Sequence, residues 1–153
     1  MEEQKEIQKQ FRQQQEKYTY YIIALCIAAI GFSVHKTTGL PLKWIQIPLG
    51  IAILSWGISI YCGLKFISYV ISTLYANNAY LDIIQGKNPD IGVQPQKIEA
   101  ATKGIKQAME SNTERANNFS TWQNRLFIIG FIAFLVWHIL EMYNNTILIS
   151  FCK

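Results

Sequence analysis

The sequence predicts an all-α, polytopic membrane protein with three transmembrane helices extended into a cytoplasmic helical stalk. Three observations predict it. Half of the 153 residues are hydrophobic and only 16% are charged, a balance too apolar for disorder and unusual in a soluble domain of this size. The apolar residues are gathered in three blocks rather than spread with a period. Each block reaches the roughly 17–20 residues needed to cross hydrocarbon. Each is also apolar all round, whereas a core helix of a soluble bundle keeps a polar face.

Residues 1–17 are polar and precede the first block. They carry four acids, so they do not read as the positive leader of a cleaved signal peptide. Ile7, Phe11 and Tyr18 give this segment a weak apolar side, predicting a cytoplasmic amphipathic helix. The first span is 18–34, YTYYIIALCIAAIGFSV, without a charge. An outer loop follows at 35–43, HKTTGLPLK, whose Gly-Leu-Pro supplies turn chemistry for a tight helical hairpin. The second span is 44–64, WIQIPLGIAILSWGISIYCGL, again uncharged. Pro48 falls near its start, where a missing N–H costs little.

Residues 65–125 form a cytoplasmic helical hairpin. After Lys65 the pattern turns amphipathic, with Ile67, Val70, Ile71, Leu74, Leu81 and Ile84 on one side, and runs to Gly86. The stretch GKNPDIGVQP is the far turn, and a return helix starts near Gln96. In it Ile98, Ile105, Asn112, Phe119 and Leu126 recur every seven residues, with Ala101, Ala108 and Trp122 as companions in a heptad-like stripe. The third span is 126–143, LFIIGFIAFLVWHILEMY, followed by an outer tail at 144–153.

Orientation follows from Lys and Arg. Residues 1–17 and 65–125 together hold eleven, and the outer loop and tail hold three. Counting only positions near span ends leaves seven against three. The N-terminus is therefore expected in the cytoplasm and the C-terminus outside a cell inner membrane. Tyr18, Tyr20, Tyr21, Tyr69, Phe119 and Trp122 then suit the inner interface, and Trp44, Trp137 and Tyr143 the outer one.

Small residues recur four apart at Ser55, Ser59 and Gly63 and at Ala24 and Ala28, the spacing that lets helices approach closely in lipid. Together with the heptad-like helix and its Asn112 they predict a homo-oligomer. Ser55, Ser59 and Cys62 are pore-lining candidates if the second span faces a central axis; packing explains them equally well. His138 and Glu141, three apart near the outer interface, read either as an ion or proton site or as a hydrated helix end. Lys97, Lys103, Lys106 and Arg115 on the return helix are candidates for an anionic ligand such as a nucleotide oligomer. The opposing reading is a solvated face, since Glu99–Lys103 and Lys106–Glu110 have helix ion-pair spacing. Cys26, Cys62 and Cys152 form no close-spaced pair; Cys152 reads as an inert terminal thiol, with a link between two chains as the alternative. There is no phosphate loop, zinc spacing, nucleophile elbow or carboxylate pair in the sequence, so neither an enzyme nor a cofactor or metal is expected.

The segments EKYTYYIIALCIAAIGFS, LPLKWIQIPLGIAILSWGISIYCGLKF and YANNAYLDI resemble small bacterial membrane proteins. The whole layout resembles the membrane effectors of anti-phage systems, nearest the Hailong type. That resemblance rests on size, span arrangement and the helical cytoplasmic part, with no diagnostic motif, so no site residue is carried over. It implies a tetramer-like channel working beside a nucleotidyltransferase, controlled by a nucleotide oligomer, whose opening dissipates ion gradients. The alternative is a non-conducting membrane anchor or scaffold whose stalk docks a cytoplasmic protein partner.

Overall fold

A computed structural model describes residues 2–39, 43–89, 91 and 94–151. Leu40 and Pro41 of the outer turn, parts of the far turn, and Cys152 lie outside the described residues. The fold is all-α. The elements are α1 (Glu2–Thr37), a single 3₁₀ turn (Trp44–Gln46), α2 (Ile47–Ile84) and α3 (Pro95–Phe151), and there is no strand among the described residues. All three α-helices include stretches long and apolar enough to cross a membrane, within Lys9–Thr37, Trp44–Ile84 and Pro95–Asn144. At 1.5 Å per residue, α2 is about 57 Å long and α3 about 86 Å. Hydrocarbon holds only about 30 Å of either.

The sequence explains each helix end. Up to Gly31, α1 has neither Gly nor Pro. It stops where the Thr38 hydroxyl donates back to the Val34 carbonyl at 2.9 Å and Gly39 turns to φ +81°, a conformation that costs glycine least. Pro48 is the second residue of α2 and Pro95 the first of α3, positions whose N–H has no partner within the helix. Closure of α2 is a Schellman motif. Gly86, at φ +69°, donates its N–H to Ile83 at 3.1 Å, and Lys87 donates to Asp82 at 2.9 Å. Beyond the third span α3 continues as helix to Phe151, through most of the expected outer tail.

The chain divides into two compact units, Met1–Gly63 with Thr121–Lys153, and Leu64–Ser120. In the first, Ile22, Cys26, Ala52 and Trp56 form the core, with Ala29, Ile30, Ile60, Phe127, Ala133 and Phe134 packed around it. Trp137, expected at the outer interface, is instead buried, its ring centroid 5.5 Å from that of Phe134. In the second unit α2 and α3 run antiparallel. Tyr69 stacks on Phe119 at 5.7 Å, and further from the ends Lys106 Nζ sits 5.5 Å from the Tyr80 ring centroid.

Burial revises the expected stripes. On α3, Ile98, Ile105, Asn112, Phe119 and Leu126 are half-buried, but of their expected companions Ala108 and Trp122 are exposed. The companion column lies one residue further along, where Ala116, Gln123, Gly130 and Trp137 are all buried at seven-residue spacing. On α2 the buried side beyond Gly63 is Phe66, Thr73 and Ile83. Of the apolar side expected from the sequence, Ile67 and Val70 are half-buried, while Ile71, Leu74, Leu81 and Ile84 are exposed.

Candidate functional site

The first unit is held by a polar seam that ties its three helices at one level. Ser59 on α2 has no exposed surface, and its hydroxyl donates to the backbone carbonyl of Gln123 on α3 at 2.9 Å. A helix carbonyl has a second lone pair, so it accepts this bond without losing its own ladder bond. Gln123 is 1% exposed, and its Nε2 donates to the Thr19 carbonyl of α1 at 3.4 Å. The Cys26 thiol of α1 also makes a side-chain hydrogen bond with Ser59.

Two glycines make room for this arrangement. A Cβ on Gly63 would stand 2.5 Å from Gln123 Nε2 and 3.0 Å from the Ile23 Cδ1. A Cβ on Gly130 would stand 2.6 Å from Trp56 Nε1 and 2.7 Å from its Cδ1. Glycine therefore lets α3 carry an amide against α2 at one level and accept an indole at another. Lipid is as apolar as leucine, so helix contact of this kind replaces a hydrophobic driving force. Trp56 and Trp137 keep buried indole N–H groups with no hydrogen-bond partner among the described residues.

No protein family, curated protein or solved structure matches this chain.

Ser55, Ser59 and Cys62, the pore-lining candidates, are all buried in this unit. Ser59 is bonded inward to α3, so within the chain the stripe serves packing. The outward side of α2 is the opposite one, where Gly50, Leu54, Gly57 and Tyr61 are exposed. Gly50 and Gly57 have open space where a Cβ would project.

His138 is exposed and Glu141 half-buried, with the imidazole centroid 6.4 Å from that of Trp137. No third His, Cys, Asp or Glu joins them in a metal-holding group among the described residues. Lys97, Lys103, Lys106 and Arg115 are exposed but do not gather on one face. Lys103 and Lys106 line an open depression with Glu99, Thr102, Gln107 and Glu110, where the two acids balance the two bases. Lys97 and Arg115, five turns apart at 3.6 residues per turn, share a different side.

Gln123 and Thr19, which carry the seam with Ser59, and the nearby Gly130, Trp56 and Trp137 were not among the candidate site residues from sequence. The available signal was Gln123 itself, a long amide seven residues before a glycine and fourteen before a tryptophan, in the column next to the apolar one.

Proposed function

We propose that this chain is an oligomeric integral membrane channel, or pore-type effector, gated through its cytoplasmic helical region. In this reading it sits in a cell inner membrane with its N-terminus in the cytoplasm. The observation that carries the proposal is the exposed apolar side of α2 beyond Leu64. Ile71, Leu74 and Tyr75 are exposed on a stretch that also holds Lys65, Asn77, Asn78 and Asp82. Lys65, Asn77, Asn78 and Asp82 would hold this stretch outside hydrocarbon, which would leave its apolar side chains for a second chain to cover.

The polar stripe of the second span is already used inside the chain. A conduction path would therefore run between copies, past the outward side of α2 at Gly50, Leu54, Gly57 and Tyr61. Such a path is apolar, and apolar constrictions close by dewetting. In this reading a signal received on the hairpin would pass to the spans along α2 and α3, each of which is one helix. Lys103 and Lys106 on the hairpin suit an anionic signal such as a nucleotide oligomer, made by a partner nucleotidyltransferase. Opening would depolarise the membrane, the expected action of an anti-phage effector.

Purified full-length chain in planar bilayers tests this. Current is expected, and Leu54→Ser, which wets the constriction, should increase it. If Leu54→Ser and the parent chain are both silent at every voltage, with and without short oligonucleotides, the channel reading fails. The non-conducting anchor then stands, and one observation favours it: the outward membrane surface of α2 contains no charge.

A further inference from the structure

The exposed side of α2 has a more specific order than general stickiness. From Leu64 one line of residues along this side falls at alternating spacings of three and four: Leu64, Ile67, Ile71, Leu74, Asn78 and Leu81. Leu64, Ile71 and Asn78 occupy one heptad column (a), and Ile67, Leu74 and Leu81 the other (d). Ile67 is half-covered, and the other five are exposed. The intrachain contacts of this helix are made from the opposite side, by Phe66, Thr73 and Ile83. Ile71, Leu74, Tyr75 and Asn78 frame a shallow open groove.

We infer that this seam is a parallel coiled-coil contact between α2 of one chain and α2 of a second copy, with Asn78 facing Asn78. The inference rests on the proposal above that copies assemble, and it names the helix that joins them. Three features select a second copy as the occupant. First, copies inserted with the same topology present α2 in the same direction, and in that parallel register each a/d column of the seam meets itself. Second, neither column carries a charge between Leu64 and Leu81, so a copy meets no like charge. Third, the area is sufficient. Ile71, Leu74 and Leu81 leave 47%, 46% and 44% of their surface uncovered, and Tyr75 leaves 75%. At roughly 100 Å² per half-exposed large side chain, pairing two copies removes on the order of 1,000 Å² from water, the size at which specific interfaces begin.

β-Branched Ile71 in the first column with Leu74 and Leu81 in the second is the combination that favours two strands. Asn78, whose Nδ2 reaches the Asp82 carboxylate at 3.5 Å within its own helix, supplies the single polar layer that fixes register in such seams. A carboxamide both donates and accepts, so two copies of Asn78 satisfy one another.

The test uses the full chain in lipid nanodiscs with Cys152→Ser as background, because Cys26 and Cys62 are buried. Single cysteines are placed on the seam, Leu74→Cys and Asn78→Cys, and off it, Ser72→Cys and Ala79→Cys. All four positions are exposed, so the fold tolerates them. Mild oxidation should link the seam variants with a yield at least about fivefold above the off-seam pair. Equal or greater linking at Ser72 and Ala79, with an oligomeric mass, overturns the seam and leaves assembly standing. A monomeric mass for the parent chain overturns both. As a cysteine-free check, Leu74→Glu should shift the mass toward monomer and Ser72→Glu should not; equal shifts reject the assignment.

Discussion

Replacing Gly130 by alanine probes a close approach of α3 to α2. The added methyl would lie 2.6 Å from Trp56 Nε1 and 2.7 Å from Cδ1, whereas carbon–carbon contact is comfortable at about 3.5–4.0 Å. The indole must retreat by about 1 Å. It has little room to do so, being 3% exposed with Phe134 at 5.7 Å between centroids. Overpacking of this kind costs about 1–3 kcal/mol, and the better helix propensity of alanine returns up to about 1 kcal/mol. The net loss lies between about 0 and 3 kcal/mol and centres near 1.5 kcal/mol, and for a chain of this size each kcal/mol lowers Tm by roughly 2–4 °C. Melting can be followed in detergent by the reaction of Cys26 and Cys62, both buried, with a thiol dye in the Cys152→Ser background. Gly31→Ala is the control, because Gly31 has nothing within 4 Å of a Cβ; it should hold or raise Tm. If Gly130→Ala melts with Gly31→Ala, above the parent, then α3 does not pass Trp56 as described.

Ser59→Ala removes the 2.9 Å bond to the Gln123 carbonyl and should cost about 0.5–1.5 kcal/mol, read as a lower Tm in the same assay. Ser59→Leu has no space to enter and should yield misfolded protein; a stable Ser59→Leu chain that has lost only its current would make Ser59 pore-lining after all. Gly86→Ala forces a left-handed residue into the Schellman closure and should cost about 1–2 kcal/mol, seen as earlier loss of helix by circular dichroism on heating. Asn78→Ile should tighten association while mixing oligomer numbers, because the polar layer that fixes register is gone; native mass spectra showing one unchanged species would contradict it.

The three spans were legible because a run such as LSWGISIYCGL has no soluble explanation. Which side of each helix faces inward was much less so. In water the buried side is the apolar one, and sequence periodicity finds it. Lipid is apolar too, so Leu54 and Ile58 look outward while Ser55, Ser59 and Gln123 look inward, and hydrophobicity no longer separates the two. Small size and hydrogen-bonding capacity mark the interior instead. The serines of the second span were therefore recognised as a stripe but assigned to two opposite uses, and Gln123 passed unremarked between Trp122 and Asn124. In the hairpin the error was of another kind. Ile71 and Leu74 do form an apolar side, but the chain packs α2 through Phe66, Thr73 and Ile83, and periodicity alone does not say which neighbour a side will meet.

The inward-turned seam bears on how such a protein is made. With Ser59, Gln123 and Thr19 satisfied by one another, a newly inserted chain presents lipid with a finished surface and needs no sister chain to shelter a polar group. In the oligomeric reading proposed above, assembly would then be a separate event among diffusing monomers in the plane of the membrane. Its rate rises with at least the square of the number of chains per cell. Doubling expression should therefore more than double any effect that belongs to the assembly, while an effect of the lone chain should simply double.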